Sequence, residues 1–299
     1  MSLLHSLHHH IDRCSTEADD LKARAANLRQ VSTYIKTYSA GNPVLVFGDT
    51  NSRYTRADDI PAVFTTENGM TDAWVQLIRA GKAPTPGNGD LVCTNPSTTT
   101  SCEIVDKVWY RGSPAVALTA TKFQYVGNMF LQTNGDILSD HNPVLIDFSW
   151  NTGSASLQVS DPWGGPHGTF YNDLSTLSDI PSPKASSITL RGASRLDGIS
   201  LTLASGQTFT HGGTGGTANT LKLNAGESLT SATMCQAQYQ SYTRLFYMEV
   251  KTSTGRTISA GTKSGDCVTR TADSGWGIVG FTGRAGDEID RAALVYAKL

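Results

Sequence analysis

The segment ILSDHNPVLIDF, residues 137–148, places an Asp–His pair directly before an apolar run. Residues 144–148 predict a strand, and Pro143 fixes the turn that leads into it. Asp140 and His141 can both titrate, and both can bind a metal ion. Their position at the mouth of a strand indicates a functional site, with a capped loop as the structural alternative.

Two other apolar runs carry polar groups of the same kind. Residues 44–47 in NPVLVFGDTN predict a strand buried on both faces, and Asp49 and Asn51 follow it. EIVDKVWYRG, residues 103–112, predicts a strand that carries Asp106. Each motif alone has a structural explanation, an Asx turn for GDTN and a satisfied core acid for Asp106. Together they favour a catalytic site, because carboxylates in apolar strands are costly unless they are paired or metal-bound.

These groups suit the hydrolysis of a phosphate ester. Carboxylate and amide oxygens hold Mg²⁺ and leave positions for water and a phosphate oxygen. A histidine held by a carboxylate can deprotonate water. A cation such as Lys107 can neutralise charge that develops on phosphorus. We therefore expect Asp140 to be a metal ligand and His141 to be the general base.

The chain divides into two parts by composition, and its length of 299 residues suggests about two domains. The first part contains a predicted helix at residues 16–38, whose leucine and isoleucine side chains recur every seven residues, and a second helix around residues 71–79. NTGSAS, residues 151–156, predicts a linker. Beyond it the chain is rich in Gly, Ser and Thr, and short alternating runs such as SITLRG and LFYMEV predict an all-β domain.

Charge and hydropathy exclude some classes of function. The net charge of −2 gives no strong attraction to nucleic acid or to an anionic membrane. No apolar run approaches the roughly 18 residues of a membrane-spanning helix. The opening stretch MSLLHSLHHHIDRC has no basic and apolar signal-peptide pattern. The sequence does not indicate an oligomeric state.

Five cysteines stand at positions 14, 93, 102, 235 and 267, and none forms a CxxC zinc motif. Cys93 and Cys102 flank the polar loop CTNPSTTTSC, which a disulfide could close, and Cys235 and Cys267 could pair within the second part. Cys14 would then be left over. Five free thiols are the alternative, and we favour the disulfides.

The motifs FGDTN, IVDKVWYRG and LSDHNPV resemble the later motifs of the endonuclease/exonuclease/phosphatase superfamily, over about residues 8–149. This resemblance implies an α+β fold, a two-sheet αββα sandwich, and Mg²⁺-dependent phosphodiester hydrolysis. HHHID is similar to the family's strand that ends in His-x-Asp, which makes His10 a candidate phosphate contact, with a solvated histidine as the alternative. The remaining implied roles are a grip on the nucleophile and phosphate by Asp49 and Asn51, orientation by Asp106, metal ligation by Asp140 and Asp49, and base catalysis by His141.

The family's first half, with an early Asn and a metal-binding Glu, has no match in this sequence. The chain begins where the second half of such a domain would begin. We therefore expect a truncated form of a secreted enzyme, with part of a sheet face exposed.

The second part resembles jacalin-related lectins over about residues 161–299, through DPWGGPHGTFYND, RLDGISLTL, THGGTGG, LNAGESLTSA and GFTGRAGDEID. The resemblance implies a β-prism I of three four-stranded sheets, with a sugar held between Gly168 and the loop GDEID. That loop runs from Gly286 to Asp290. Asp290 would accept two sugar hydroxyls, the backbone N–H groups of Asp287 and Glu288 would donate, and Gly168 would let the ring approach the backbone.

Two features of this loop qualify the implied sugar binding. Acids at Asp287 and Glu288 replace the aromatic residues of many family members, so we expect weak affinity per site. Because the chain runs uncut through Gly168, the resemblance implies a preference for mannose or glucose over galactose.

The sequence thus predicts a multidomain chain with a phosphoesterase-like domain at 1–150, a linker at 151–156 and a lectin domain at 157–299. The favoured function is a secreted phosphodiesterase, acting on a lipid head group or a nucleic acid, joined to a carbohydrate-binding domain. The alternative is a lectin that carries an inactive half-domain.

Overall fold

The computed structural model describes residues 17–87, 91–152 and 156–299. The chain divides into two compact units, and the division falls between Asn151 and Thr152 in the sequence. His10 and Cys14, named from the sequence, lie outside the described residues. Within the described ranges, no helix is long and apolar enough to cross a membrane.

The first unit contains three helices and five strands in its described part. The helices are α1 Glu17–Tyr38, α2 Val63–Asn68 and α3 Ala73–Ile78, and the strands are β1 Val44–Asp49, β2 Thr71–Asp72, β3 Asp106–Arg111, β4 Ala117–Tyr125 and β5 Val144–Asn151. The helix expected around residues 71–79 is therefore shorter than predicted. It starts after Asp72, whose side chain accepts hydrogen bonds from the backbone N–H groups of Trp74 and Val75 and so caps α3.

The strands form two small antiparallel sheets, one with the order β1-β3-β2 and one that pairs β4 with β5. Strand β3 lies between two apolar clusters, because its successive side chains face opposite ways. Trp109 packs with residues of α1 and α2, and Tyr110 packs with α3, β4 and β5. The packed strand β3 therefore fixes the position of Asp106, which is its first residue.

The expectation that residues 44–47 are buried on both faces is wrong at its last residue. Val44 and Val46 pack against one cluster and Leu45 packs against the other. Phe47, however, is 48% exposed. The reason is that, among the described residues, β1 is paired with β3 on one side only and neither apolar cluster covers Phe47.

The second unit is built from strands, with one short helix, α4 Leu174–Ser178. Its strands are β6 Leu157–Val159, β7 Trp163–Gly164, β8 Thr169–Asn172, β9 Ala185–Gly192, β10 Leu196–Leu203, β11 Thr208–Gly212, β12 Thr217–Lys222, β13 Leu229–Tyr239, β14 Tyr242–Thr252, β15 Thr257–Gly261, β16 Asp266–Thr271, β17 Trp276–Ala285 and β18 Ile289–Lys298.

These strands form three sheets, in the orders β11-β10-β9-β12, β15-β14-β13-β16 and β6-β18-β17-β8. The third sheet has five strands instead of the expected four, because β6 and β7 pair one after the other along β18. Alternate side chains of the inner strands of each sheet are buried, among them Ile188, Leu201, Met234, Val250 and Phe281. One apolar core therefore fills the space between the three sheets.

Both predicted disulfides are present. Cys93 pairs with Cys102 in the first unit, and Cys235 pairs with Cys267 in the second. The second disulfide joins the paired residues of β13 and β16.

Candidate functional site

The strand ends of the first unit bring three of the predicted groups together. Asp49 is the last residue of β1 and Asp106 is the first residue of β3, and the two lie opposite each other in the antiparallel register. His141 comes from the segment before β5 and reaches both carboxylates. Its Nδ1 lies 2.7 Å from Asp106 Oδ2, and its Nε2 lies 3.8 Å from Asp49 Oδ2.

The contacts of His141 change the pKa values of the pair. The hydrogen bond that the His141 ring makes to Asp106 raises the pKa of His141, and the nearby charges of Asp49 and Asp140 act in the same direction. Burial raises the pKa of the Asp106 carboxyl, although the hydrogen bond to His141 opposes it. One ring nitrogen of His141 is thus occupied by Asp106, while the other faces Asp49.

Asn51 lies beside Asp49 in a tight turn. Its backbone N–H donates to Asp49 Oδ1 over 2.8 Å, and its side-chain amide donates to Asp49 Oδ2 over 3.1 Å. Asn51 has a φ of 48°, in the left-handed region that Asn tolerates better than most residues. This is the Asx turn that GDTN is typical of, and it holds the Asp49 carboxylate at the strand end.

Asp49, Asp106 and His141 each offer one ligand atom, and these atoms all lie within 4.8 Å of one another. Two carboxylates and an imidazole at this spacing fit a divalent cation. Asp140, predicted as a metal ligand, is exposed and does not belong to this group. It acts on the group through its charge, which helps to raise the pKa of His141.

The expectation that Lys107 faces a phosphate is wrong. Its side chain is buried, and its Nζ donates to Glu103 Oε1 over 2.5 Å. It also lies over the rings of Tyr54 and Trp74. The Lys107 ammonium group is thus paired with the buried Glu103 carboxylate and not with the Asp106 carboxylate.

A cavity of about 260 Å³ opens beside the His141–Asp106 pair. Its apolar lining includes Phe47, Val108 and Val144. Next to it, the segment between β4 and β5 exposes large apolar side chains: Met129, Phe130, Leu131, Ile137 and Leu138. The polar groups therefore stand at the border of an apolar surface, which the sequence motifs did not indicate.

In the second unit, Gly168 and Asp290 lie directly against each other. Gly168 has a φ of +73°, and a Cβ there would lie 2.4 Å from Asp290 Oδ2. Asp290 is 3% exposed, and its Oδ1 has no hydrogen-bond partner among the residues that the structure describes. The nearest cation is Arg244, whose Nε lies 3.7 Å from that oxygen, beyond hydrogen-bond distance. Burial raises the pKa of Asp290, against the effect of Arg244.

The Glu288 side chain turns away from this carboxylate and is held by two arginines. It accepts hydrogen bonds from Arg195 Nε and Arg244 Nη1, each over 2.7 Å. Burial acts to raise the pKa of Glu288, but these hydrogen bonds outweigh it and the pKa lies below its usual value. The side chain thus anchors the loop, and only the backbone of Glu288 remains available to a ligand.

The chain is similar to known proteins over parts of its length. Residues 160–294 match the family model of the jacalin-like lectin domain. The second unit contains a jacalin-like lectin domain. A solved mannose-binding jacalin-related lectin from Ananas comosus matches with 22% sequence identity and a TM-score of 0.42, covering 48% of this chain and 100% of that chain.

Part of the chain is also similar to two mycobacterial sphingomyelinases, one from Mycobacterium bovis and one from Mycobacterium tuberculosis. Each is 37% identical over 125 residues, which is 42% of this chain. The match spans 24% of the length of each relative.

One aromatic pair near the loop of residues 286–290 was not predicted from the sequence. The His167 and Tyr242 rings meet edge to face with centroids 4.3 Å apart, and His167 is close enough to Asp290 to oppose the rise that burial causes in the Asp290 pKa. Tyr242 begins β14 and belongs to another sheet than Asp290. From the sequence, aromatic residues were considered only within the loop, where acids stand instead. Nothing in the local sequence indicates that Tyr242, from another hairpin, lies nearby.

Proposed function

We propose that the lectin domain binds a mannose- or glucose-type saccharide between Gly168 and the loop of residues 286–290. The observation that carries this proposal is the buried Asp290 carboxylate, whose Oδ1 lacks a partner among the described residues. A buried polar atom without a partner costs free energy. Two adjacent sugar hydroxyls would supply the missing donors, and Gly168 leaves the approach to the carboxylate open.

The backbone of the loop supplies complementary donors. No acceptor among the described residues takes the N–H groups of Asp287 or Glu288. The ring and hydroxymethyl oxygens of a hexose can accept from them. Because Glu288 is fixed by its two arginines, these N–H groups are held in place before the sugar binds, which lowers the entropic cost of binding.

Calorimetry on the whole chain with the methyl α-glycosides of mannose, glucose and galactose tests this site. Hydrogen bonds to charged groups contribute roughly 1.5–3 kcal/mol each, so Asp290→Ala should weaken mannoside or glucoside binding by more than about tenfold. Asp273→Ala, at an exposed aspartate in a turn of the same unit, is the matched control and should bind as the parent does. Full binding by Asp290→Ala, or a clear galactoside preference, would refute the assignment.

For the first unit, we propose a divalent-cation-dependent phosphodiesterase of the sphingomyelinase type. The hydrogen bond between His141 and Asp106 at the edge of an apolar cavity supports it, together with the partial match to the mycobacterial sphingomyelinases. Asp49 and the second oxygen of Asp106 would hold the cation, since Mg²⁺ is commonly bound through one or two carboxylates. A cation bound there would stabilise charge on a phosphoryl oxygen.

In this proposal His141 is the general base. Asp106 occupies Nδ1, which leaves Nε2 as the nitrogen that takes a proton from the attacking water. A base must be neutral to act. Because the pKa of His141 is raised, the rate should fall as the pH drops through a value above the 6.5 of an ordinary histidine.

The surroundings of the pair favour an amphiphilic phosphodiester over a nucleic acid. Apolar side chains line the cavity, and Leu138, two residues before Asp140, is 63% exposed. The net charge of −2 provides no basic track along a phosphate backbone. A lipid head group with its acyl chains nearby fits this combination of a polar pair and an apolar border.

Hydrolysis of sphingomyelin in detergent micelles and of a soluble diester, each with and without Mg²⁺, tests the first unit. General-base catalysis contributes about 10²–10⁴-fold, so His141→Ala should lower any Mg²⁺-dependent rate by that factor. Asp58→Asn, at an exposed aspartate of the same unit, should change neither the rate nor cation binding. Direct cation binding by calorimetry gives a second readout, which Asp49→Asn should weaken. If the parent chain neither hydrolyses a diester nor binds the cation, the alternative of a lectin with an inactive partner unit is correct.

A further inference from the structure

The segment of the first unit that leads to His141 lies on the surface. Residues 131–140 are all exposed, and His141 itself is only partly buried. The backbone N–H of His141 donates to Ser139 Oγ over 3.1 Å, which shapes the turn without attaching it to the rest of the unit. Asn142 is the first buried residue of the segment, with 6% of its surface exposed. The place of the imidazole therefore depends on what holds Asn142 and its neighbours.

The side-chain amide of Asn142 is bound at both ends by one loop, residues 93–102, which we call the disulfide loop. Asn142 Oδ1 accepts from the backbone N–H of Ser97 over 2.8 Å, and its Nδ2 donates to the carbonyl of Thr94 over 2.9 Å. A primary amide held in this way has one orientation, because exchanging its oxygen and nitrogen would set donor against donor and acceptor against acceptor. The disulfide loop thus fixes both the place and the direction of the Asn142 amide.

The disulfide loop also holds the segment on the other side of the histidine. Asn95 Nδ2 donates to the carbonyl of Ser139 over 2.8 Å. Bonds from one loop therefore fall two positions before His141 and one position after it. Anchors on both sides restrict the backbone torsion angles between them, and so the direction in which the imidazole points. In this direction His141 Nδ1 lies 2.7 Å from Asp106 Oδ2.

The disulfide loop is itself fixed to the packed part of the first unit. Its ends are joined by the bond between Cys93 and Cys102. Trp74 Nε1 donates to the carbonyl of Thr100 over 2.8 Å, and the Tyr125 hydroxyl donates to the carbonyl of Cys102 over 3.0 Å. The Trp74 and Tyr125 rings belong to the apolar cluster formed with α3, β4 and β5. A rigid frame therefore stands behind the loop that binds Asn142.

The surroundings of Asn142 are closely packed. A Cβ on Gly127 would lie 3.1 Å from Pro96 Cβ and 3.3 Å from Asn142 Oδ1. Ser97, whose N–H binds that oxygen, is 3% exposed. An alanine in place of Asn142 would leave this N–H and the Thr94 carbonyl without their partner, and an unpaired buried polar group costs free energy. The segment would then shift away from the loop to admit water.

We propose that Asn142 is a positioning residue for His141, and that through its amide the disulfide loop holds the imidazole against Asp106. The catalytic consequence rests on the proposed function, in which His141 is the general base. Misplacing a reacting group by about 1 Å can cost on the order of 10²-fold in rate. Asn142 also lines the cavity beside the site. A direct contact with the substrate is therefore the competing explanation, and it would act on KM instead of kcat.

Kinetics of Mg²⁺-dependent hydrolysis of the soluble diester tests whether Asn142 acts through the histidine. Asn142→Ala should lower kcat roughly 10²-fold and leave KM and the dependence on Mg²⁺ concentration unchanged. His141→Ala with Asn142→Ala should be no slower than His141→Ala alone, because both changes remove one function. Asn134→Ala, at an exposed asparagine bonded to Asp136, is the matched control and should match the parent. Additive losses in the double variant, an unchanged kcat in Asn142→Ala, or a raised KM would overturn the proposal.

NMR of the imidazole rings reads the position of His141 without any activity. In the ¹⁵N-labelled whole chain, the Nδ1–H that is bonded to Asp106 should give a signal protected from exchange with water, identified by its absence from His141→Gln. Asn142→Ala should lose this signal and Asn134→Ala should keep it. Asn95→Ala removes one exposed hydrogen bond of the loop and should weaken the protection at least severalfold. The backbone amide signals of β3 report whether the first unit of each variant is folded.

The two readouts separate this inference from the proposed function. A parent chain that shows the protected Nδ1–H but hydrolyses no diester would refute the phosphodiesterase, and the ring signal of the variants alone would then decide the positioning role. A parent without the signal, or a folded Asn142→Ala that keeps it, would overturn the positioning role whatever the rates. If Asn142→Ala does not fold, Asn95→Ala decides, and an unchanged signal in that variant would refute the role of the disulfide loop.

Discussion

At the scale of single residues, two neighbouring positions of the first unit have different surroundings: Asp106 belongs to the candidate site and Lys107 to a buried ion pair. Asp106 faces His141, whereas Lys107 is 3% exposed and pairs with Glu103, which has no exposed surface. The Glu103 carboxylate also accepts from the backbone N–H groups of Tyr54 and Thr55, over 2.7 and 3.1 Å. This buried pair therefore holds the segment that follows the Asp49 turn.

Lys107→Met should destabilise the first unit by roughly 3–5 kcal/mol, because it leaves the Glu103 carboxylate buried without its counter-charge. Urea unfolding measures the change, and Lys122→Met on the exposed face of β4 is the control. A loss below about 1 kcal/mol would mean that the backbone N–H groups alone are sufficient for Glu103.

Glu227 makes a second prediction at this scale, for the lectin domain. Its carboxylate accepts from the backbone N–H of Asn224, from Thr254 and from Arg256, and these contacts hold its pKa at about 2, below the usual 4.5. A lowered pKa contributes stability above pH 4.5, and this stability is lost as the pH falls toward 2.

Glu227→Gln should therefore be less stable than the parent at pH 7, and the difference should shrink as the pH falls from about 4.5 to about 2. Denaturant unfolding at several pH values measures it. A difference that stays constant over this range would contradict the pKa assignment.

At the scale of elements, the segment between α3 and β3 is irregular and depends on a covalent link. The Cys93–Cys102 disulfide closes this loop directly before Glu103, and the backbone N–H of Cys93 donates to the Glu103 carbonyl over 3.2 Å. The disulfide reduces the number of conformations open to the unfolded chain, and it keeps Glu103 near its partners.

Replacing Cys93 and Cys102 together by alanine should lower the free energy of unfolding of the first unit by roughly 2–4 kcal/mol. Thermal unfolding with and without reductant measures it in the parent and in the variant. Saccharide binding, which belongs to the second unit, should be unchanged. Equal stability of the two proteins under oxidising conditions would show that the loop is held by its hydrogen bonds alone.

At the scale of the whole molecule, each unit has buried apolar residues of its own. The second unit has a core shared by three sheets. Its disulfide joins two of its own strands, β13 and β16. The first unit has two smaller clusters on either side of β3.

A protein of residues 157–299 should therefore fold without the first unit and bind the same saccharides with the affinity of the whole chain. Circular dichroism and calorimetry measure both properties. Loss of binding in a folded 157–299 protein would show that the first unit contributes to the sugar site, and failure to fold would contradict the independence of its core.

The sequence by itself determined which polar groups of the first unit come together. Polar residues at the ends of apolar runs predicted that Asp49, Asp106 and His141 would meet, because strands of one small domain end at a common edge. The glycine and aspartate motifs of the second part predicted the lectin domain and the loop around Asp290. Local patterns of this kind can be predicted from sequence, because side-chain alternation and turn formation depend on residues only a few positions apart.

Only the tertiary structure decided which of these groups act together. The buried Glu103 carboxylate binds the Lys107 ammonium group, and Asp140 remained outside the group of possible metal ligands. The contact between the His167 and Tyr242 rings came from the tertiary structure, since the two residues are 75 positions apart in the sequence. Register depends on pairing between distant segments, and a sequence read locally contains no such pairing.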